Sequence, residues 1–311
     1  MNIKSKYIEP KFKKESNPRI GLLALSTDLT IESDFQSICH SLPIDLFVNR
    51  IHNENPLTKE NLLKMYDQLE SITEKILKNV YCIIHLAGLV EVTKSFENPI
   101  KYNKANVIGT LNILKAAKKA KVKKFVYAAS ASCYGNSKKS PSSEKSDIQI
   151  LSPYALTKWI AEQLVMSWSK IYKLSSISLR FFNVYGSRSK NSGSYSSVIN
   201  VFIKQKLSKK AFTIVGDGKQ TRSFIYVTDV VNAIIKAAKS KISGEIFNVG
   251  GDKSVQIKKL AKLLGGKKIY IAKRLGELKY SSANIKKIQK KLNWKPKIDI
   301  KNGLQLLLKE F

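Results

Sequence analysis

Acidic residues are scarce in this chain. Asp and Glu number 23 against 55 Lys and Arg, for a formal net charge of +32. Such a surplus invites an anionic partner. Arginine is nearly missing too: only Arg19, Arg50, Arg180, Arg188, Arg222 and Arg274 are present, and the other basic residues are lysines. Nucleic-acid bases and phosphates are gripped best by the forked guanidinium. The lysines sit in stretches such as LKAAKKAKVKK and IKKIQKKLNWKPK, with no recognised nucleic-acid-binding motif. They read as solvated helix faces, and no nucleic-acid partner is expected. Cysteine occurs at Cys39, Cys82 and Cys133 only, which rules out a disulfide framework and offers no metal-ligand spacing. A reducing, cytoplasmic setting and no metal are expected. Apolar runs such as YCIIHLAGLV fall short of the roughly 20 residues that cross a bilayer, so no membrane span is expected. The opening MNIKSKYIEPKFKKESNP is basic but lacks the apolar core of a secretory signal, and residues 1–18 read as a flexible basic tail. Glycine is missing in one place that matters: Gly21 is the only one before Gly88.

From residue 81 onward, apolar runs alternate with helical patterns, as in a parallel α/β sheet. YCIIHLAG and KKFVYAASA read as buried strands. NPIKYNKANVIGTLNILKAAKKAKV reads as one helix with Val107, Leu111 and Leu114 on its apolar face. SPYALTKWIAEQLVMSWSKIY reads as a long helix capped near Ser152, with Pro153 at its first position. After the strand SSISLRFFNVYG the pattern turns irregular: a helix near 195–208, a turn at Gly216-Asp217-Gly218, a helix from Thr228 to about Lys239 and a short α/β tail. The expected fold is a doubly wound parallel sheet with a small C-terminal α/β lid.

The sharpest chemical signal is Tyr154-Ala-Leu-Thr-Lys158. Side chains four apart on a helix share a face. A phenol titrates near 10, too high for a base at neutral pH, and a neighbouring ammonium lowers that value. The pair can therefore take a proton from a hydroxyl. The strand FVYAASASCYG delivers Ser130 and Ser132 to the sheet's carboxyl edge, where open α/β sheets bind ligands. IIHLAG ends at the same edge. His85 reads as a strand-end structural histidine.

In this order, IIHLAG, FVYAASASCYG, YALTK, RFFNVYGSR, VGDGKQTRSFIYVTDV, GEIFNVGG and KRLGELKYSSANIKKIQKKLNWKPK closely resemble the extended short-chain dehydrogenase/reductases. Within them the chain looks like the NAD-dependent sugar epimerase/dehydratase family, and most like its UDP-sugar 4-epimerases. The resemblance implies a Rossmann-like fold with NAD as cofactor, a nucleotide-sugar substrate and a homodimer built on the helices at about 98–120 and 153–172. It implies Tyr154 as the base, Lys158 as the group that binds the nicotinamide ribose and tunes Tyr154, and Ser130 as the hydrogen-bond partner of the reacting hydroxyl. Ala87, Gly88, Asn106, Phe181 and Phe182 would lie along the cofactor. Ser132, Asn183, Arg222, Arg274 and Glu277 would contact the substrate, the two arginines at its diphosphate. The implied organisation places the rest of the NAD-binding sheet at 81–185 and a mainly substrate-binding region at 186–311, part of which returns to the sheet.

Four departures from the family pattern bear on function. Its dehydratases carry acids just after the position of Ser130, where this chain has Ala131 and Ser132, so epimerisation is expected over water loss. The family's RDF reads Arg222-Ser223-Phe224, and its later Asp is Asn284; both changes are expected to alter local hydrogen bonding rather than chemistry. The largest lies at the front. The family's glycine-rich turn, where backbone amides meet a pyrophosphate, is replaced by Leu25-Ser26-Thr27-Asp28-Leu29-Thr30. Side chains and a negative charge there predict a weak grip on NAD. The segment 19–80 instead resembles the start of maleate isomerase and aspartate-glutamate racemase-like proteins, in RIGLLALSTDLTIESDF, FVNRI and LTKENLLKMYDQLESITEKIL. An atypical first unit joined to an epimerase body leaves rival readings open, an inactive or weakly binding chimeric pseudoenzyme, or a nucleotide-sugar dehydratase or reductase of the same family.

Overall fold

The computed structural model describes residues 19–25, 45–51, 80–136, 141–186, 197–272 and 278–309. Six parallel strands form the central sheet: β1 (Arg19–Leu25), β2 (Asp45–Ile51), β3 (Cys82–His85), β4 (Lys124–Ser130), β5 (Ser175–Phe181) and β9 (Glu245–Val249). Their order is β2-β1-β3-β4-β5-β9. The chain runs outward from β1 to β2 and then crosses to the far side of β1 to place β3. This reversal is the topological switch point of a doubly wound sheet. The expected strand at RIGLLAL forms and pairs in register with both β2 and β3. The turn and helix expected after it lie outside the described residues.

β3 is buried throughout and β4 nearly so, because both faces of the sheet are covered there. Alternate side chains take opposite sides. Ile83, Phe125 and Tyr127 pack with Leu114, Ala161 and Val165 of the helices α3 (Gly109–Lys119) and α4 (Pro153–Tyr172). Cys82, Ile84 and Val126 pack on the other side with Val231, Ile234 and Ile235 of α6 (Val227–Lys239). Among the described residues no helix is long and apolar enough to cross a membrane.

A short helix α1 (Val92–Glu97) precedes the helix expected near 98–120, which runs without interruption from Pro99 to Lys119 as α2 (Pro99–Asn103), a wide π turn at Lys104–Ile108, and α3. A π turn accommodates an extra residue and rotates the helix beyond it. Here it buries Asn106 and Val107 together. The long helix α4 forms as its sequence indicates: the Ser152 side chain accepts from the Ala155 amide, and Pro153 occupies the first turn.

Beyond the sheet's carboxyl edge lies the smaller α/β part. Strands β6 (Asn183–Tyr185), β8 (Thr221–Tyr226), β10 (Ser254–Gln256) and β12 (Tyr280–Ser281) join there. β7 (Phe212–Val215) pairs with β11 (Lys268–Ile271). Tyr185 and Phe212 form its own core with Phe202 of α5 (Val198–Leu207) and Leu260 of α7 (Ile257–Leu264). Between β7 and β8, Gly218 turns at φ +68°, where a side chain would strike Ile214.

Candidate active site

Strand β4 ends on Ser130, whose register partner on β5 is Phe181. The chain then winds into a short 3-10 turn, Ala131–Tyr134, which Ser130 caps: its Oγ accepts from the Ser132 amide at 3.2 Å. The Ser132 hydroxyl is buried and has no partner among the described residues. The first two turns of α4 bring Tyr154 and Lys158 to this edge, both buried. Ser95 anchors the helix start: its hydroxyl accepts from the Tyr154 amide at 3.0 Å.

The electrostatics differ from the simple expectation for a Tyr–Lys pair. Burial pushes the Tyr154 phenol above its ordinary range, and a hydrogen bond with Ser130 opposes that. Burial pushes Lys158 down to about 7, against the pull of Glu162. The Lys158 ammonium stands 4.5 Å from the centre of the Tyr127 ring. Ser130 is thus the direct partner of the phenol, while Lys158 is poised to gain or lose its proton near neutrality.

Next to Lys158 the loop after β3 leaves room. A Cβ on Gly88 would lie 2.9 Å from Asn106 Oδ1 and 3.9 Å from Lys158 Nζ. Asn106 holds this loop: Oδ1 accepts from the Leu89 amide at 2.7 Å, and Nδ2 donates to the Leu89 carbonyl and to the Thr157 hydroxyl, both at 3.0 Å. The glycine-floored cradle beside a buried ammonium, next to partly exposed Ala87, fits a ribose and its nicotinamide. His85 lies below, 2.9 Å from Thr110 Oγ1, and burial pushes it down to about 3. Thr110 spends its own proton on the Asn106 carbonyl, so His85 Nε2 is the donor. It serves as a neutral structural group.

The remaining predicted residues divide. Phe182 is buried in the core, stacked on Tyr134 at 6.2 Å, while Phe181 is only partly buried at the strand end. Asn183 donates to the Ser223 carbonyl at 3.3 Å and to Ser281 Oγ at 3.4 Å. Arg222 lies on β8 between β10 and β12. Arg274 and Glu277 lie outside the described residues. Ser223 Oγ accepts from the Ala283 amide and Asn284 Oδ1 from the Lys286 amide, so both positions where the family has Asp serve local hydrogen bonds. Ser95, Thr157, Glu162, Arg180 and Tyr134 were not singled out from sequence. Only Glu162, one turn beyond Lys158 on the same buried face, left a readable signal there.

A parallel sheet with its switch point beside β1, and a Ser–Tyr–Lys group at its carboxyl edge, define a nucleotide-cofactor enzyme of the Rossmann type. Residues 46–250 match the NAD dependent epimerase/dehydratase family. The chain belongs to that family and is an NAD-dependent enzyme. The match begins within the segment 19–80, so the part of it from residue 46 onward lies inside the family. A putative UDP-glucose 4-epimerase of Methanocaldococcus jannaschii is 36% identical over 244 residues, covering 76% of this chain and 79% of the relative. A UDP-N-acetylglucosamine 4-epimerase from Methanobrevibacter ruminantium, solved with UDP-N-acetylmuramic acid, superimposes with a TM-score of 0.81 at 28% identity. It covers 96% of this chain and 100% of that one. A UDP-glucuronic acid 4-epimerase from Bacillus cereus, solved with UDP-glucuronic acid and NAD, gives 0.80 at 26% identity, over 94% and 100%.

Proposed function

We propose that the protein is a nucleotide-sugar 4-epimerase that acts by transient oxidation at C4. The observation that carries this is the Ser130–Tyr154 hydrogen bond at the carboxyl edge, with Lys158 one turn along the same helix. Tyr154 takes the proton of the C4 hydroxyl while Ser130 holds that oxygen. NAD, when bound, supplies the reversible hydride acceptor. Lys158 holds the nicotinamide ribose and, as a cation, favours the phenolate of Tyr154. After the C4 ketone turns over in the site, Tyr154 returns the proton to the new hydroxyl. Ala87 and Gly88 give the cofactor close backbone approach, with Asn106 and Phe181 beside it and Phe182 behind. Ser132, Asn183, Arg222, Arg274 and Glu277 receive the substrate. Epimerisation is favoured over dehydration because Ala131 and Ser132 offer no carboxylate to expel water. A homodimer through α3 and α4 is supported by Leu156, which is 41% exposed on α4, and by partly exposed Trp159. Light scattering that finds a monomer would end that part of the reading.

The test is interconversion of UDP-glucose and UDP-galactose, and of the UDP-glucuronate and UDP-N-acetylglucosamine pairs, by wild type and Tyr154→Phe. Turnover by wild type that Tyr154→Phe lacks supports the reading. Equal turnover by both overturns it. The rival pseudoenzyme rests on the glycine-free turn Leu25–Thr30. Calorimetric titration separates the two: micromolar NAD affinity favours the epimerase, and no binding at millimolar NAD the pseudoenzyme.

A further inference from the structure

Behind the site runs a chain of buried polar groups that the proposed reaction does not use. Glu162 is 1% exposed and Arg180 on β5 is 3% exposed. Arg180 Nη2 donates to Glu162 Oε1 at 2.6 Å and Nε to Oε2 at 2.9 Å, while Ser178 donates to Oε2 at 3.1 Å. Arg180 Nη1 donates to the Tyr134 hydroxyl at 2.8 Å, and that hydroxyl donates to Asn248 Oδ1 at 2.6 Å. Asn248 Nδ2 then donates to the carbonyls of Ser142 at 2.9 Å and Asn284 at 3.2 Å. The Asn248 amide reaches Glu144 at 2.8 Å.

The chain leads to the catalytic serine. Ser130 and Tyr134 bound the same four-residue turn: Ser130 caps it, Tyr134 closes it. A buried ion pair adds little net stability over an apolar replacement. A network whose members are all satisfied selects one arrangement. Here the selected arrangement is that of the turn carrying Ser130, set against α4 through Glu162 and against the segment after β12 through Asn248.

We infer that Tyr134, gripped by the Glu162–Arg180 pair on one side and Asn248 on the other, is a positioning residue that fixes Ser130 relative to Tyr154. This deepens the epimerase reading and rests on it for its link to catalysis. Tyr134→Phe keeps the ring on Phe182 and removes only the hydroxyl. It is expected to lower kcat about tenfold to a hundredfold, as a small misplacement of a reacting group does, with KM little changed. In a Ser130→Ala background the same substitution should cost nothing further, since its effect passes through Ser130. A merely structural role would subtract the same factor in both backgrounds, and that result overturns the inference. A second readout needs no turnover. The ionisation of Tyr154 is read as the near-ultraviolet difference between each protein and its Tyr154→Phe counterpart. It should move to higher pH in Tyr134→Phe as the Ser130 hydrogen bond loosens. Tyr127 on β4 and Cys133 in the turn face Tyr154, Lys158 lies one turn along the same helix, and all three are unchanged, so the movement reports on Ser130. Arg180→Lys keeps a cation beside Glu162 but withdraws the second arm from Tyr134, and should shift the titration the same way. An unmoved titration in both variants overturns the inference. If wild type turns over no nucleotide sugar, the epimerase reading fails and the titration still decides this one.

Discussion

Two lysines are buried at opposite edges of the same sheet, and they are spent differently. Lys124 opens β4 and is 1% exposed. Its ammonium donates to the Ser175 hydroxyl at 3.2 Å, to the Ser240 carbonyl at 3.1 Å and to the Ile242 carbonyl. Three donors meet three acceptors. Lys158 sits at the carboxyl edge, 5% exposed, with the Tyr127 ring against it and no hydrogen-bond acceptor among the described residues. Burial lowers both, Lys124 to about 8 and Lys158 to about 7. A shifted pKa therefore does not by itself mark a site. What separates the two is whether the donors are already used. Lys124 ties three segments together where no ligand is expected, while the Lys158 donors, beside the Gly88 cradle, meet no acceptor among the described residues.

The contrast can be broken most directly at Tyr154. Tyr154→Phe should lower kcat by about 10²–10⁴ while leaving the melting midpoint close to wild type, because one acid–base group is lost and the ring still packs. Steady-state rates with thermal melts check both halves. If the rate survives, the carboxyl edge is no more functional than the other.

The second test compares Lys158→Met with wild type in NAD-free protein as pH varies. The folded pKa of Lys158, about 7, lies below its ordinary 10.5. Between these values the unfolded chain binds more protons, so wild-type stability rises with pH across that window. Below about pH 7 the folded state carries the whole penalty. Lys158→Met should therefore melt higher than wild type at neutral and lower pH, by a few kcal/mol at most at about 1.4 kcal/mol per pH unit, with the gap closing as pH rises toward 10.5. A gap that does not change with pH would deny that Lys158 is held short of partners.

Lys124→Met should behave in the opposite way. It strands acceptors at the sheet's amino edge, and unfolding free energy should fall by roughly 1–3 kcal/mol in denaturant melts. Turnover per folded molecule should not change, and a drop in kcat would erase the distinction between the two lysines.

The smallest effect is expected at Asn284. Its Oδ1 accepts from the Lys286 amide at 3.1 Å, at the start of the helix α8 (Lys286–Leu292). Asn284→Asp puts a negative charge at that positive end and should stabilise by about 0.3–1 kcal/mol without altering kcat. A change in rate would show that this position also contributes to the reaction.

Some of the site was legible because its logic is local. Tyr154 and Lys158 fall on one buried face through the spacing of a single helix, and Ser152-Pro153 marks where that helix starts. The apolar runs CIIH and KFVYAAS are strands because both sheet faces are covered, and their carboxyl ends are where a parallel sheet places its ligands. The π turn inside the expected helix was not legible, because it answers to what Asn106 must reach on the Leu89 loop rather than to the apolar period. Phe182 stands beside Phe181 in sequence, yet its ring turns into the core and stacks on Tyr134.

The sequence by itself determined the strands ending at His85 and Ser130, the long helix with its Tyr–Lys pair, and the serines at the strand end, because these depend on side-chain period and capping within a few residues. Tertiary structure alone decided which buried charges find acceptors among the described residues and which do not. Lys124 and Lys158 look alike in a string of letters; one reaches the Ser240 and Ile242 carbonyls and the other faces a tyrosine ring. The Glu162–Arg180–Tyr134–Asn248 chain likewise exists only once β4, β5 and β9 lie in register, since hydrogen bonds act over a few ångströms whatever the separation along the chain.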